Sequence, residues 1–123
     1  MKSETYPYAN LLGIQLIDVG KGTAVVRAKV EQHHTNHIGI AHGGFIHSVA
    51  DFAFELASNS HGVVAVALTT SMQFHRPLSV GAIVEAVAKE TYLGRKTATY
   101  HVEVSSGNEI VATFTGTVYR KQG

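Results

Sequence analysis

The sequence predicts an α+β domain in which a curved antiparallel β-sheet wraps one long central helix. One stretch, residues 43–60, has helical periodicity, and the four stretches after it alternate apolar and polar side chains between short turns. Strands joined by short turns pair antiparallel, and an apolar helix needs a sheet to cover it. With 123 residues and 45% hydrophobic content, we expect one globular domain spanning residues 1–123.

Before the helix, the pattern predicts a helical turn and at least one strand. Residues 8–13 are expected to form the short helical turn. Residues 23–31 alternate as a half-buried strand, on which Val26, Ala28 and Val30 face one way and charged residues the other.

The central helix presents a broad apolar surface. Phe45, Val49, Phe52 and Leu56 recur at spacings of three and four residues. Its polar positions form one narrow row, called the polar strip below, which consists of His47, Ser48, Asp51, Glu55 and Ser58.

Four strands are expected after the helix. In the first, residues 64–74, strict alternation places Ala67 and Thr69 on one face and Thr70 on the other. The second, at about residues 82–92, ends in a turn at residues 92–95. The third follows at residues 96–105, and a turn at residues 106–108 leads into the last strand.

Composition excludes several classes of function. The formal net charge is +1 without a basic run, which argues against nucleic-acid and membrane-surface partners. The absence of cysteine excludes disulfides, thiolate metal sites and a cysteine nucleophile. The first residues lack the apolar core of a signal peptide and no stretch is long enough to span a bilayer, so we expect a cytoplasmic protein.

Three further motif classes are missing. The eight histidines include no His-Glu-x-x-His or His-x-His, so we expect no metal site. There is no Gly-x-Ser-x-Gly elbow, which argues against a serine hydrolase, and no phosphate-binding glycine loop.

Gly43 and Gly44 stand where the helix is expected to begin. Backbone amides at a helix N-terminus lack intrahelical partners, and the helix dipole favours negative charge there. Such amides stabilise the oxyanion that develops from a carbonyl during acyl transfer. The alternative is an ordinary tight turn into a helix, since short glycine motifs recur by chance.

Asp51 is the one acid in the apolar middle of the helix, and no Lys or Arg lies between Lys29 and Arg76. Buried unpaired carboxylates have raised pKa values and serve as general bases or nucleophiles. The alternative is an exposed residue on the polar strip, held by Ser48 or His47.

Helix geometry separates Asp51 from Gly43. Eight residues correspond to about 12 Å along the axis and roughly 80° around it. A single substrate carbonyl can hardly touch both groups of one helix, so the sequence predicts an active site at a symmetric dimer interface, with two sites per dimer.

Two side chains in the preceding loop are further candidates. Asn36 is expected to orient a water or a carbonyl, although Asn is also common in turns. His42 is expected to hold the loop or touch the substrate, and its alternative role is that of a hydrogen-bonded histidine at a helix start.

These residues carry a family resemblance. The pattern His-Thr-Asn-x-Ile-Gly-x-x-His-Gly-Gly at residues 34–44, with Asp51 nine residues after His42, resembles the hotdog-fold acyl-CoA thioesterases. The most similar subfamily is that of the phenylacetate-degradation (PaaI-like) thioesterases. Phe-His-Arg-Pro at residues 74–77 and the turn at Gly94 also match, so the resemblance covers nearly the whole chain.

The resemblance implies a hotdog fold and hydrolysis of an acyl-CoA thioester. It makes Asp51 the general base or nucleophile, and gives Asn36 the placement of water or thioester. It makes the Gly43 amide the group that polarises the thioester oxygen, with His42 supporting that loop and Gly44 binding the substrate. It also implies a shared-site homodimer, commonly doubled into a homotetramer. No cofactor is expected, since coenzyme A is part of the substrate.

The resemblance also extends to substrate contacts. Gly94, Arg95 and Lys96 match a region that meets the pantetheine or nucleotide of CoA, and a cationic turn suits phosphate groups. The sequence departs from the family at Ala67, where many relatives carry Ser or Thr. Thr69 is the expected substitute because it is predicted to share the face of Ala67.

Two other classes of function stay open. The first is a non-catalytic acyl-CoA binding protein, which the presence of Asp51 disfavours. The second is a hotdog-fold enoyl-CoA hydratase or dehydratase, whose His-plus-acid motif we do not find in the sequence.

Overall fold

The computed structural model describes residues 5–121, and the ends of the predicted domain, residues 1–4 and 122–123, lie outside it. The helices are α1 (Pro7–Leu12) and α2 (Gly43–Ser58), with a 3-10 turn at Gln32–His34 between them. The strands are β1 (Gln15–Gly20), β2 (Thr23–Lys29), β3 (Ala65–Phe74), β4 (Ile83–Leu93), β5 (Thr97–Ser106) and β6 (Glu109–Arg120). The helical turn, the central helix and the four late strands are confirmed, with small differences at their ends.

The strands form one six-stranded sheet in the order β1-β2-β4-β5-β6-β3. Every neighbouring pair in it is antiparallel. The sheet curves around α2, which confirms the predicted α+β class with its hotdog architecture. No helix within residues 5–121 has the length and apolar character needed to cross a membrane.

The core lies between α2 and the concave face of the sheet. On β5, side chains at alternate positions are completely buried, as the alternation predicts: Ala98, Tyr100, Val102 and Val104. On α2, the four residues that defined the apolar periodicity are also buried. Of the polar strip, Glu55 is exposed and His47, Ser48 and Asp51 are half-buried, whereas Ser58 is buried.

Gly116 on β6 lies directly against the ring of Phe54 on α2. A Cβ atom there would lie 2.6 Å from Cζ of Phe54 and 3.0 Å from Cε1 of Phe114. Only 2% of Phe54 is exposed, and its ring already contacts Tyr100 edge-on at 5.9 Å, so the ring has little space to move. A glycine at this position sets the distance between helix and sheet.

Gly116→Ala is therefore expected to lower the free energy of unfolding by about 1–3 kcal/mol, the usual cost of overpacking a core. Chemical denaturation measures the effect. Phe54→Leu removes the clashing ring atoms, so the two changes combined should cost less than the sum of the single variants. Additive costs would show that the Phe54 contact is not the source of the penalty.

Strand β3 departs from the predicted alternation. Ala67 lies opposite the core residue Val118, whereas Thr69 lies opposite Thr117. One additional residue, Leu68, forms a β-bulge between them. A bulge reverses the alternation, so Ala67 and Thr69 do not share a face and that prediction is wrong.

The bulge brings Thr70 to the helix side of the sheet. Its hydroxyl lies 3.3 Å from Nε2 of His47 on the polar strip. Thr69 belongs to the outer face, as does Thr117, whose hydroxyl bonds that of Thr99 at 2.9 Å. The hydroxyl nearest to the helix on this strand is therefore that of Thr70.

Strand β3 is also an edge of the sheet, since β6 is its only neighbour within residues 5–121. Apolar side chains along its first half are largely exposed: Val64 (60%), Val66 (49%) and Leu68 (56%). An exposed apolar edge strand is a template for pairing with another chain.

Candidate active site

Asn36 organises the loop that leads into α2. Its side-chain oxygen accepts hydrogen bonds from the backbone amides of Ile38 (3.1 Å) and Ile40 (3.2 Å). The backbone amide of Asn36 donates to the Ile40 carbonyl at 2.8 Å. The turn-forming role foreseen as the alternative is therefore present. The side-chain nitrogen makes no hydrogen bond within residues 5–121, so it remains a donor for a ligand.

His42 is the N-cap of α2 and determines which amide stays unused. Its Nδ1 accepts a hydrogen bond from the Gly44 amide at 2.7 Å, and its carbonyl accepts from the Phe45 amide at 3.0 Å. The Gly43 amide makes no hydrogen bond within the described residues. His42 thus supports the loop through Gly44 and leaves Gly43 as the open donor at the positive end of the helix.

Asn36 and Gly43 line one cleft of about 320 Å³. Most of its wall is apolar, from Ile40, Ala41, Ile46, Phe74, Leu78 and Val111. Two groups predicted from sequence to act on one carbonyl are thus brought together at the start of α2.

Phe74 was missed as a candidate site residue. A Cβ atom on Gly43 would lie 3.4 Å from Cζ of its ring, so the ring stands beside the open amide. The ring is 56% exposed although it is large and apolar. Phe74 is the first residue of the Phe-His-Arg-Pro element that carries part of the family resemblance, and this element could have indicated a role at the site.

Asp51 lies in a different and smaller cleft, of about 130 Å³. This cleft is formed by α1 and the polar strip, and its wall includes Tyr6, Tyr8, Ser48 and Glu55. Within residues 5–121, the carboxylate of Asp51 makes no hydrogen bond or ion pair. The alternative in which Ser48 caps Asp51 does not occur, because the Ser48 hydroxyl donates to the Gly44 carbonyl at 2.8 Å.

Burial raises the pKa of the Asp51 carboxyl, and the charge of His47 one turn earlier offsets part of that increase. Glu55, one turn later, also has a raised pKa, through burial and through repulsion from Asp51. A half-buried, unpaired carboxylate with a raised pKa has the properties of a general base or a nucleophile.

The turn at residues 94–96 lies at the far end of α2. The Arg120 amide donates to the Lys96 carbonyl at 2.7 Å, and Arg120 stands opposite Ala65 on β3. The Ala65 amide in turn donates to the side chain of Asn59, the C-cap of α2, at 2.9 Å. A 16-residue helix is about 24 Å long, so the turn and Gly43 of one chain are far apart.

The predicted site residues therefore fall into separate groups. Asn36, His42, Gly43 and Gly44 meet at the start of α2, Asp51 lies near its middle, and the turn lies at its end. Thr69 joins none of them, because the bulge turns it to the outer face. Within residues 5–121, no three His, Asp or Glu side chains are arranged to hold a metal ion.

A long helix inside a curved antiparallel sheet, with an open amide at its start and an unpaired carboxylate on its side, defines a hotdog-fold acyl-transfer protein. Residues 38–113 match the model of the Thioesterase superfamily. The chain belongs to this superfamily and is a thioester hydrolase.

Individual relatives agree with this membership. The acyl-coenzyme A thioesterase PaaI of Escherichia coli is 37% identical over 116 residues, which cover 94% of this chain and 83% of that protein. The crystal structure of the TT0310 protein from Thermus thermophilus is 49% identical, covers 96% of this chain and all of that one, and has a TM-score of 0.94. A Streptococcus mutans structure bound to acetyl CoA is 28% identical, with a TM-score of 0.85 and coverage of 88% of both chains.

Proposed function

We propose that the protein hydrolyses an acyl- or aryl-CoA thioester to the free acid and CoA. The observation that carries the proposal is that Gly43, with its open amide, and Asn36, with its unbonded side-chain nitrogen, line one cleft. The E. coli relative is named an acyl-CoA thioesterase, and the S. mutans neighbour holds acetyl CoA, which supports a CoA ester as the substrate.

Each group has a role in the proposed reaction. The Gly43 amide donates a hydrogen bond to the thioester oxygen and stabilises the negative charge that develops on it. Asn36 donates from its free nitrogen to the same oxygen or to the attacking water. Asp51 either removes a proton from that water or attacks the carbonyl carbon itself. Collapse of the tetrahedral intermediate then expels the CoA thiolate, which takes up the proton that Asp51 removed or a proton from water. Where Asp51 attacks the carbon itself, the acyl group is left on Asp51 as a mixed anhydride, and a water molecule hydrolyses this anhydride to release the free acid.

The site is proposed to form between two subunits. Gly43 and Asp51 lie in different clefts of one chain, as the helix geometry requires. The exposed apolar edge of β3 supports a second copy of this chain as the partner. A homotetramer of two such dimers stays a prediction from the family resemblance.

The turn at Gly94, Arg95 and Lys96 is proposed to contact the phosphates of CoA. Arg95 and Lys96 are exposed, and cationic side chains bind phosphate by charge-assisted hydrogen bonds. The turn lies about one helix length from Gly43 of its own chain, and we propose that it serves the substrate that the partner subunit activates.

A panel of acetyl-, hexanoyl-, benzoyl- and phenylacetyl-CoA tests the function by release of free thiol. We expect at least one ester to be hydrolysed with kcat/KM of about 10⁴ M⁻¹s⁻¹ or more, as is usual for enzymes. Phenylacetyl-CoA is included because the subfamily resemblance predicts it. Tight binding without thiol release would instead support an acyl-CoA binding protein, and hydration of an enoyl-CoA would support a hydratase.

A further inference from the structure

A partly buried polar cluster lies near the C-terminal end of α2, away from the proposed catalytic groups. Its centre is Glu90 on β4, whose carboxylate accepts a hydrogen bond from Tyr100 (2.6 Å) and pairs with Nε2 of His61 (2.7 Å). Arg120 on β6 belongs to the same cluster, and only 8% of it is exposed.

Arg120 is bonded to both sides of the turn. Its Nη1 donates to the Gly94 carbonyl at 2.9 Å, and its backbone amide donates to the Lys96 carbonyl at 2.7 Å. The Gly94 amide closes the turn by donating to the Thr97 carbonyl at 2.8 Å. Arg95 lies between Gly94 and Lys96. The carbonyls of both these neighbours are therefore bonded to the buried residue Arg120.

The charge of Arg120 is balanced from inside the fold. Burial would raise the pKa of Glu90, but the hydrogen bonds from Tyr100 and His61, with the charges of His61 and Arg120, outweigh burial and lower it. Glu90 is therefore anionic near neutral pH, and its charge interacts favourably with that of Arg120. The positive charges that the turn presents at the surface are those of Arg95 and Lys96.

The turn is also closely packed around Gly94. A Cβ atom on Gly94 would lie 2.7 Å from the Tyr92 hydroxyl and 2.9 Å from the Thr97 carbonyl oxygen. The turn therefore has no space for a side chain at Gly94.

We propose that Arg120 is a positioning residue for CoA recognition: it fixes the turn so that Arg95 and Lys96 meet the phosphates of the nucleotide. This inference rests on the proposed function, which assigns those phosphates to the turn. Arg120 itself does not touch substrate. Because the turn is proposed to contact the phosphates and not the thioester, the effect of Arg120 is on binding of the nucleotide and not on the chemical step.

The test compares an acyl-CoA with the acyl-pantetheine of the same acyl group, which lacks the nucleotide. Arg120→Lys keeps the charge but loses the planar group that reaches Gly94. We expect its KM for acyl-CoA to rise about tenfold, the size expected for a lost charge-assisted contact, with kcat within about twofold. Its kinetics with acyl-pantetheine should equal those of the wild type.

Three further variants make the comparison decisive. The double variant Arg95→Ala/Lys96→Ala removes the proposed phosphate contacts and should show the same pattern as Arg120→Lys. Arg27→Met removes an exposed arginine of β2 that pairs with Glu85 of β4 at 2.8 Å. Its kinetics with either substrate should equal those of the wild type. Arg120→Met deletes the hydrogen bond without keeping charge, and Arg120→Lys decides the outcome where that variant does not fold.

The outcomes separate the two proposals. Equal loss with both substrates, or no loss in folded Arg120→Lys, would overturn the positioning role. An effect of Arg120→Lys without any effect of the double variant would also overturn it. If no thioester were hydrolysed, the proposed function would fail, yet calorimetry of CoA against pantetheine would still show whether the Arg120→Lys protein has weakened nucleotide binding.

Discussion

Replacing Asp51 by asparagine is expected to lower kcat/KM for the preferred acyl-CoA by about 10²–10⁴-fold, the usual contribution of a positioned general base. Asn keeps the size of the side chain but cannot accept the proton of water or attack as a carboxylate. Thiol-release kinetics measures the loss. If Asp51→Asn kept full activity, both roles proposed for Asp51 would be wrong.

The same substitution is not expected to weaken the fold. Burial raises the pKa of Asp51 in the folded state, so an ionised Asp51 costs folding free energy once the pH exceeds that pKa. A neutral Asn avoids this cost. At neutral pH the melting temperature of Asp51→Asn should therefore equal or exceed that of the wild type, and a lower one would contradict this account.

The raised pKa of Asp51 also predicts how kcat/KM depends on pH. A general base must be ionised, so kcat/KM should fall as the pH drops through the raised pKa of Asp51. The matched control is Glu55→Gln, which removes the neighbouring carboxylate of the polar strip. Repulsion between the two carboxylates raises the pKa of Glu55 and not that of Asp51, so the acidic limb of Glu55→Gln should stay where it is in the wild type, with the activity on the plateau within about threefold.

The fold was predictable because its signals are local. The alternation that buries Tyr100 and the periodicity that buries Phe45 each depend on a few neighbouring residues. The bulge at Leu68 was not predictable, since nothing in the alternation of β3 marks an additional residue. That single residue exchanged the faces of Thr69 and Thr70, and with them the hydroxyl that stands near the polar strip.

The candidate site was predictable only in parts. The spacing from Gly43 to Asp51 predicted two separate locations, and the structure places the two residues in two clefts. The unused Gly43 amide could not be predicted, because it depends on His42 bonding to Gly44 and not to Gly43. Arg120 gave no signal either, since its bonds to the turn join residues that are 24 or more positions apart in the chain.

A site shared between subunits predicts that two inactive variants restore each other. One is Asp51→Asn and the other is Gly43→Pro, which deletes the amide donor. Proline is well tolerated at the first position of a helix, and His42 already has the extended backbone (φ −64°, ψ 138°) that a residue before proline adopts. Alone, Gly43→Pro should lower kcat by about 10²–10³-fold, the cost of losing one oxyanion donor.

In a heterodimer of these variants, one site carries both substitutions and the other carries neither. Tagged co-expression isolates this heterodimer, which should recover about half of the wild-type activity. The matched control joins a wild-type subunit to one carrying both substitutions. If sites are shared, each of its two sites has one defect and the heterodimer is nearly inactive. If each site were contained within one subunit, both results would be reversed. The heterodimer of the two single variants would be nearly inactive, and the control would keep about half of the wild-type activity through its wild-type subunit.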